Sequence, residues 1–309
     1  MLYVDTAIRP LRGSTPYQSP LIPTRTLPLV QHNMHPTKVS RAIFLFLIST
    51  VMYAATLKPQ SVQAWDRYLA AAEANLVKHT QEKATFLWVD ESADRRQRAR
   101  DGEIIVAETY LPNKKVPDAL IHDWTGAAFI RGARIEDVIA IIRNYDHYKD
   151  YYSPTVIRSK TIEQSAARDR FSVVMVNQSL LVRTAVETEC QAAYTQVSDK
   201  RSYAVSKATR IQEIEDYGHA GEHRLPVGEG GGFLWRLATI TRFEERDGGV
   251  YLEVEALALS RDVPFSLRFV VDPIVRRVSR NSLTESLKQT DQAVAESIAG
   301  ALAILAATR

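Results

Sequence analysis

The sequence is poor in cysteine. Cys190 is the single cysteine among 309 residues, which excludes a disulfide within the chain and a C-x-x-C motif. The surrounding segment VETECQAAY alternates as a strand does, and the residues that would share the face of Cys190 are Val186, Thr188, Ala192 and Tyr194. This pattern predicts a buried structural thiol rather than a nucleophile.

The chain also has little net charge. Its 39 Lys and Arg residues and 36 Asp and Glu residues give a formal net charge of +3. The one dense basic run, residues 95–100, has acidic residues at 90, 91, 94, 101 and 103 around it, which is typical of a solvated helix face. A nucleic-acid partner is therefore not expected.

The familiar catalytic motifs are missing as well. The sequence has no G-x-S-x-G, no H-E-x-x-H and no Walker loop. His219 and His223 have the i, i+4 spacing of metal ligands, but Gly221 and Pro226 argue against a helix there and no third ligand is evident. The Gly-rich run 228–232 precedes a strand rather than a helix, so it predicts a loop and not a phosphate cradle. We accordingly assign no catalytic residue, no cofactor and no metal.

Long apolar runs are scarce, and the one that stands out lies near the N-terminus. Met34, Lys38 and Arg41 precede the apolar run Ala42–Ala55, and small residues follow at Val62 and Ala64. These are the parts of a secretory signal peptide, and the run is short for a transmembrane helix. We predict a signal peptide at residues 34–64 with cleavage after Ala64, and a periplasmic or secreted protein.

Two points about this region stay open. Residues 1–33 show no periodicity and are interpreted as a disordered extension, with Met34 as the alternative start. The signal could also remain uncleaved, in which case Ala42–Leu57 would anchor the protein to the inner membrane.

The segment Phe233–Glu255 is the strongest structural signal. Two alternating runs flank Asp247-Gly248, which predicts a β-hairpin with Phe243 opposite Leu252. One face of the hairpin is predicted dry, with Phe233, Trp235, Leu237, Thr239, Thr241, Phe243, Val250, Leu252, Val254 and Ala256 on it. The other face is predicted wet, with Arg236, Arg242, Glu253 and Glu255 on it, Arg242 opposite Glu253.

A long C-terminal helix is the predicted cover of the dry face. Ser282 to Glu285 matches a capping box, so the helix is expected to begin at Ser282. Its apolar stripe would be Leu283, Leu287, Val294, Ile298, Leu302 and Leu305.

The remaining elements complete an α+β plan. A helix is predicted at Trp65–Thr80 within an N-terminal extension of residues 65–117, and the main domain spans residues 118–309. That domain begins with a strand at Leu120–Ile130, in which Gly126 indicates a bulge or a close backbone approach. The later predictions are a helix around residues 135–142, a tyrosine cluster at residues 145–152, and strands at Val156–Gln164, Phe171–Val182, Arg183–Gln196 and Tyr203–Glu213.

Three stretches carry a family resemblance. They resemble the START-like helix-grip superfamily, also called SRPBCC (polyketide cyclase/dehydrase, Bet v 1-like), and they read LIHDWTGAAFIRGARIEDV, RNYDHYKDYYSP and FLWRLATITRFEERDGGVYLEVEALALSRDVP. The resemblance covers about Asp118 to Ala295. Within the superfamily, the sequence resembles a secreted bacterial branch that is seen in Acidobacteria. The resemblance implies a curved antiparallel β-sheet around a long C-terminal α-helix, with a cavity between them. The superfamily includes lipid-transfer proteins, ubiquinone-binding chaperones, plant hormone receptors and a few cyclases.

Three hypotheses about function follow. The first is a carrier that binds a small hydrophobic molecule (lipid, quinone or polyketide-like) without covalent chemistry. The second is a cyclase- or hydrolase-type enzyme in which His122 and Arg236 polarise a carbonyl. The third is an interaction module with a filled core. The pocket residues expected for the carrier are His122, Trp124, Tyr145, Tyr148, Tyr152, Met175, Cys190, Trp235, Leu237, Val254 and Leu287. Peripheral membrane contact and the oligomeric state are left open.

Overall fold

The structure is a computed structural model that describes residues 56–81, 84–109, 115–178, 183–263, 266 and 268–308. The helices are α1 Pro59–His79, α2 Ala93–Arg100, α3 Ile135–Ile142, α4 Tyr148–Tyr151 and α5 Arg268–Ala307, with 3-10 turns at Trp88–Glu91 and Tyr145–His147. The strands are β1 Ile105–Glu108, β2 Lys115–Val116, β3 Ala119–Arg131, β4 Val156–Gln164, β5 Arg168–Gln178, β6 Arg183–Ser198, β7 Arg201–Glu215, β8 His223–Arg224, β9 Arg236–Arg246 and β10 Gly249–Arg261.

All strand pairs are antiparallel. The sheet order is β1-β3-β10-β9-β7-β6-β5-β4, with β2 beside β3 and β8 beside β7. The first long strand of the main domain, β3, therefore pairs with the last one, β10. A long C-terminal helix, α5, lies against one face of this sheet, which confirms the predicted α+β helix-grip class with an extra N-terminal helical segment.

The predicted hairpin register is confirmed. Phe243 pairs with Leu252, and Arg242 pairs with Glu253. The turn needs two residues with positive φ, and Asp247 (58°) and Gly248 (80°) provide them. Asp is one of the few side chains that tolerate this conformation, which is why the Asp-Gly pair fixes the turn and the register with it.

Helix α5 is longer than predicted. It begins at Arg268 rather than at Ser282 and runs for 40 residues, about 60 Å at 1.5 Å per residue. Ser282 therefore lies within the helix, and its capping-box spacing does not mark an N-terminus. Pro273 lies in the second turn, close to the end where a proline is best tolerated.

The close backbone approach expected at Gly126 is present. A Cβ on Gly126 would lie 2.8 Å from Leu287 Cδ1 and 2.9 Å from Leu283 Cγ. Glycine thus lets α5 lie directly on β3 at this point. The core between helix and sheet also contains Trp124, Ala128, Ile130, Ile135, Val138, Ile141, Ala204, Phe243, Val250, Leu252, Ala293 and Val294.

The face of the sheet that was predicted wet is covered, so that prediction is wrong. Helix α1 packs Trp65, Tyr68, Leu69, Ala72 and Leu76 on it, and residues 86–89 with Ala99 of α2 pack beside them. We call α1, the Trp88–Glu91 turn and α2 the N-terminal cover. Its strand partners are Ala127, Phe129, Ala238, Ile240, Tyr251, Leu257 and Leu259.

Charged groups are buried under the N-terminal cover. Arg242 Nη1 donates to Glu253 Oε1 at 2.5 Å, and Arg242 Nη2 lies 3.5 Å from Glu255 Oε2. Tyr68 Oη of the cover donates to Asp123 Oδ2 at 2.6 Å. The alternating charges that indicated an exterior face therefore form a buried network, which alternation alone cannot distinguish from a solvated one.

The predicted signal segment falls largely on residues outside the described part. Its last residues, 59–64, form the first turns of α1, so Ala64 lies within that helix. Export, the cleavage site and the anchor at Ala42–Leu57 stay predictions. Within the described residues, no helix combines the length and the apolar character needed to span a bilayer.

Candidate ligand site

The side chains that face α5 follow from the strand register. Gly126 of β3 contacts α5, and directly paired residues of antiparallel strands point to the same face. Val254 of β10 pairs with Gly126, and Thr241 of β9 pairs with Val254, so both face α5. Every second residue along each strand shares this orientation.

In the second half of β10, residues 254–260, the two faces are buried to different extents. Glu255, Leu257 and Leu259 point to the N-terminal cover and are at most 4 % exposed. Val254, Ala256, Ala258 and Ser260 point to the α5 side and are only half-buried. The half-buried face is thus the one made of small and apolar side chains, while the face that contains carboxylates is closed.

The same contrast extends to the neighbouring strands. Ala258 pairs with His122 of β3 and with Leu237 of β9, and all three face the α5 side. His122, Leu237 and Thr239 are half-buried. We call this surface the trough and define it by His122, Leu237, Thr239, Val254, Ala256, Ala258 and Ser260.

An aromatic cluster lies on the same face, toward β4 and β5. The rings of Tyr145 and Phe171 are stacked, with their centroids 3.9 Å apart. The rings of Tyr148 and Tyr152 meet edge to face, with their centroids 4.9 Å apart. Tyr152 Oη lies 3.0 Å from Thr290 Oγ1 of α5, which ties the cluster to the helix. Met175 and Cys190 pack against this cluster.

Burial governs the ionisation of these groups. It raises the pKa of Tyr148 and of Tyr152, and both stay protonated at neutral pH. It also raises the pKa of Cys190 to about 11, against a weaker opposing effect of Thr188. The thiol is therefore protonated and buried, which fits a structural role.

Trp235 does not lie on the face where the sequence placed it, whereas Arg236 lies on the predicted face of Arg242 and Glu253. Trp235 packs with α1 in the core under the N-terminal cover, and Arg236 pairs with Leu259, whose side chain faces the same cover. Strand β9 begins only at Arg236, so the alternation that runs from Phe243 back to Leu237 does not extend to Trp235. Neither residue faces the trough.

The other predicted pocket residues lie on the α5 side. Trp124 and Leu287 are buried in the core between helix and sheet, and Val254 packs at its edge. Tyr145, Tyr148, Tyr152, Met175 and Cys190 form the aromatic cluster, and His122 and Leu237 lie in the trough. That they contact a ligand stays a prediction.

Sequence reasoning missed a polar cluster at the α3 end of this face. Arg143 Nε and Nη2 donate to the two oxygens of the buried Asp169 at 2.9 and 2.6 Å. Tyr145 Oη donates to Asp169 Oδ2 at 2.8 Å and lies 2.9 Å from Tyr194 Oη. Arg143 is thereby neutralised, and its contacts with the carbonyls of residues 165 and 166 fasten α3 to the β4–β5 turn.

Two clefts lie outside the trough. An open cleft of about 880 Å³ is lined by Ile135, Ile139, Arg143, Tyr194 and Ser202, among others, at the α3 end. A smaller one of about 260 Å³ lies between α2 and the β9–β10 turn. The buried core around Phe243 and Leu252 faces α5 between the α3 end and the trough.

His122 has a partner that the sequence did not indicate. Its Nε2 lies 2.8 Å from Ser260 Oγ. Ser260 pairs with Leu120, two residues from His122 on β3, so the two side chains are diagonal neighbours on one face. The separation of 138 residues explains why no local motif revealed this pair.

The Gly-rich loop holds one of the chain's own carboxylates. Gly231 N donates to Glu213 Oε2 at 2.6 Å and Phe233 N to Glu213 Oε1 at 3.1 Å. His223 bonds with the carbonyl of Gly221 and lies 3.2 Å from Glu215. Among the described residues, no three His, Cys, Asp or Glu side chains are grouped as metal ligands would be.

Solved structures with a similar fold include a lipid-transfer protein and an aromatase/cyclase. A STAR-related lipid transfer protein from Xanthomonas axonopodis is 12 % identical, with a TM-score of 0.40 over 61 % of this chain and 98 % of that one. Human STARD10 is 8 % identical, with a TM-score of 0.40 over 70 % and 84 %. The Zhui aromatase/cyclase from Streptomyces sp. R1128 is 8 % identical, with a TM-score of 0.39 over 58 % and 96 %.

Similarity at this level does not identify what this chain binds. No protein-family model matches the sequence, and no curated protein matches it. The function therefore has to be inferred from the residues of the trough and its surroundings.

Proposed function

We propose that this protein binds a small apolar molecule, of the lipid, quinone or polyketide-like kind, in the trough beside α5. The observation that carries the proposal is the unequal burial of the two faces of β10 over residues 254–260. Leu257 and Leu259 are fully buried under the N-terminal cover, whereas Val254, Ala256 and Ala258 on the opposite face remain half-buried. Apolar surface left in contact with water costs about 25 cal/mol per Å², so a ligand that covers it is favoured.

The composition of the trough supports an apolar ligand. Among its seven side chains only His122 is ionisable, and Ala256 and Ala258 are small enough to leave room above the strand. The tyrosines of the aromatic cluster lie on the same face and offer rings with polar tips. Binding would rest on burial of apolar surface, with few polar contacts for orientation.

A probe titration with a blocking substitution tests this function. We expect N-phenyl-1-naphthylamine, a neutral apolar fluorophore, to bind the full chain saturably. Ala258→Trp fills the trough and should raise the Kd at least about tenfold. Ala299→Trp is the matched control because Ala299 is exposed on α5, and it should leave the Kd unchanged. Absence of saturable binding, or equal affinity in the Ala258→Trp variant, would overturn the proposal.

A second function, chemistry on the bound ligand, is supported by one specific observation. The 2.8 Å contact between His122 Nε2 and Ser260 Oγ places an imidazole and a hydroxyl together in the trough. Arg236 does not support this second function, since it lies on the face of β9 that is turned toward the N-terminal cover.

A further inference from the structure

Ser260 and His122 have the geometry of a nucleophile and its base. Ser260 Oγ lies 2.8 Å from His122 Nε2, within the range that proton transfer needs. A serine hydroxyl is a weak nucleophile alone and becomes competent when an adjacent imidazole accepts its proton. Both side chains are half-buried, so each is accessible from the trough.

The surroundings suit an acyl group. Ala258 and Leu237 lie in the same row across the sheet as His122, and Trp124 follows on the same face of β3. The Ser260 hydroxyl has a second acceptor, the carbonyl of Arg261 at 3.2 Å. Among the described residues, by contrast, the buried Cys190 thiol has a 3.8 Å contact with Thr188 Oγ1 and no imidazole as a hydrogen-bond partner.

We propose that Ser260 and His122 hydrolyse an ester or thioester of an apolar acyl compound that lies in the trough. Ser260 Oγ attacks the carbonyl carbon while its proton passes to His122 Nε2. The tetrahedral intermediate collapses, the bond to the alcohol or thiol breaks, and His122 returns the proton to that leaving group. Water that enters the trough then attacks the acyl-serine with His122 as base, which releases the acid and restores the hydroxyl.

This inference rests on the proposed ligand site, and the experiment separates the two. The full chain is treated with a long-chain alkyl fluorophosphonate, and the modified residue is located by peptide mass spectrometry. In parallel, turnover of p-nitrophenyl octanoate is measured. We expect labelling at Ser260 and turnover above the buffer rate.

Variants assign the reaction to the pair. Ser260→Ala and His122→Gln should each lower turnover by at least about 100-fold, since general-base assistance is worth 100-fold or more. Ser172→Ala is the matched control because Ser172 is half-buried on the opposite face of β5, and it should retain turnover. Circular dichroism verifies that each variant folds. The labelling experiment uses the unmutated chain, so it tests the proposal even if a variant fails to fold.

The outcomes are distinct. No labelling at Ser260, or undiminished turnover in Ser260→Ala, overturns the nucleophile–base pair. If N-phenyl-1-naphthylamine still binds in that case, the binding function stands alone. If the probe does not bind but Ser260 is labelled and turnover depends on it, the pair stands and the carrier function fails.

Discussion

Gly126 lies directly under Leu287: a Cβ on Gly126 would stand 2.8 Å from Leu287 Cδ1. Gly126→Val should therefore push α5 away from β3 and cost about 1–3 kcal/mol of stability, as overpacking does. Chemical denaturation measures the change. Gly300→Ala is the control, since a Cβ there meets open space and should raise stability slightly. An unchanged midpoint for Gly126→Val would contradict the close contact.

Arg242 is the cation that two buried carboxylates share. Arg242→Met would leave Glu253 and Glu255 without it, at a cost of about 3–5 kcal/mol. Adding Glu253→Gln and Glu255→Gln to Arg242→Met should recover much of the lost stability, because the two buried carboxylates are then neutral. Arg277→Met, at an exposed position of α5, should change the free energy of unfolding by less than about 0.5 kcal/mol. Equal effects of the two arginine substitutions would refute a buried network.

Glu255 makes stability depend on pH. Burial, with the nearby Asp123, raises its pKa from 4.5 to about 7 in the folded protein. The folded state therefore holds a proton that the unfolded state has lost, so the contribution of Glu255 to stability is fully present below about pH 4.5 and falls as pH rises toward 7. We expect a loss of about 3 kcal/mol over this range, levelling off above it.

Glu255→Gln should reduce that slope, and the part that remains includes the contribution of Glu253, whose pKa burial also raises. Denaturation midpoints between about pH 5 and pH 8 measure it, and Glu285→Gln on the exposed side of α5 should keep the slope of the unmodified chain. An undiminished slope in Glu255→Gln would assign the pH dependence to another group.

Cys190 should react slowly in the folded protein. Its pKa of about 11, up from 9.0, lowers the thiolate fraction about 100-fold, and burial hinders access further. Iodoacetamide should modify the folded chain at least about 100-fold more slowly than the same chain in guanidinium chloride. The single cysteine makes the count of modified thiols unambiguous. Comparable rates in both states would mean an exposed, activated thiol.

Much of the fold could be read from the sequence because its signals are local. Alternation around Asp247-Gly248 fixed the register of β9 and β10. The glycine in β3 indicated a bulge or a close backbone approach, and the structure shows that α5 makes the approach. The start of α5 could not be read, because the spacing around Ser282 satisfies a capping box whether or not the chain is already helical.

The candidate site was less predictable because it depends on long-range contacts. Whether Arg242 and Glu253 face water or the N-terminal cover depends on where α1 packs, and alternation carries no information about that. Trp235 was assigned to the α5 side by extending the alternation one residue beyond the strand. The contact of His122 with Ser260 requires the β3–β10 register, which joins the first and last long strands of the sheet.

Photolabelling by an apolar alkyl diazirine, mapped by peptide mass spectrometry, tests most directly whether a ligand occupies the trough. The reactive carbene marks whatever side chains surround the bound molecule. Labels should concentrate on the β9 and β10 peptides that contain Leu237, Val254 and Ala258, and an excess of unlabelled fatty acid should suppress them. Labels confined to the 880 Å³ cleft near Ile139, or to the exposed Leu302 and Leu305 of α5, would contradict a ligand site in the trough.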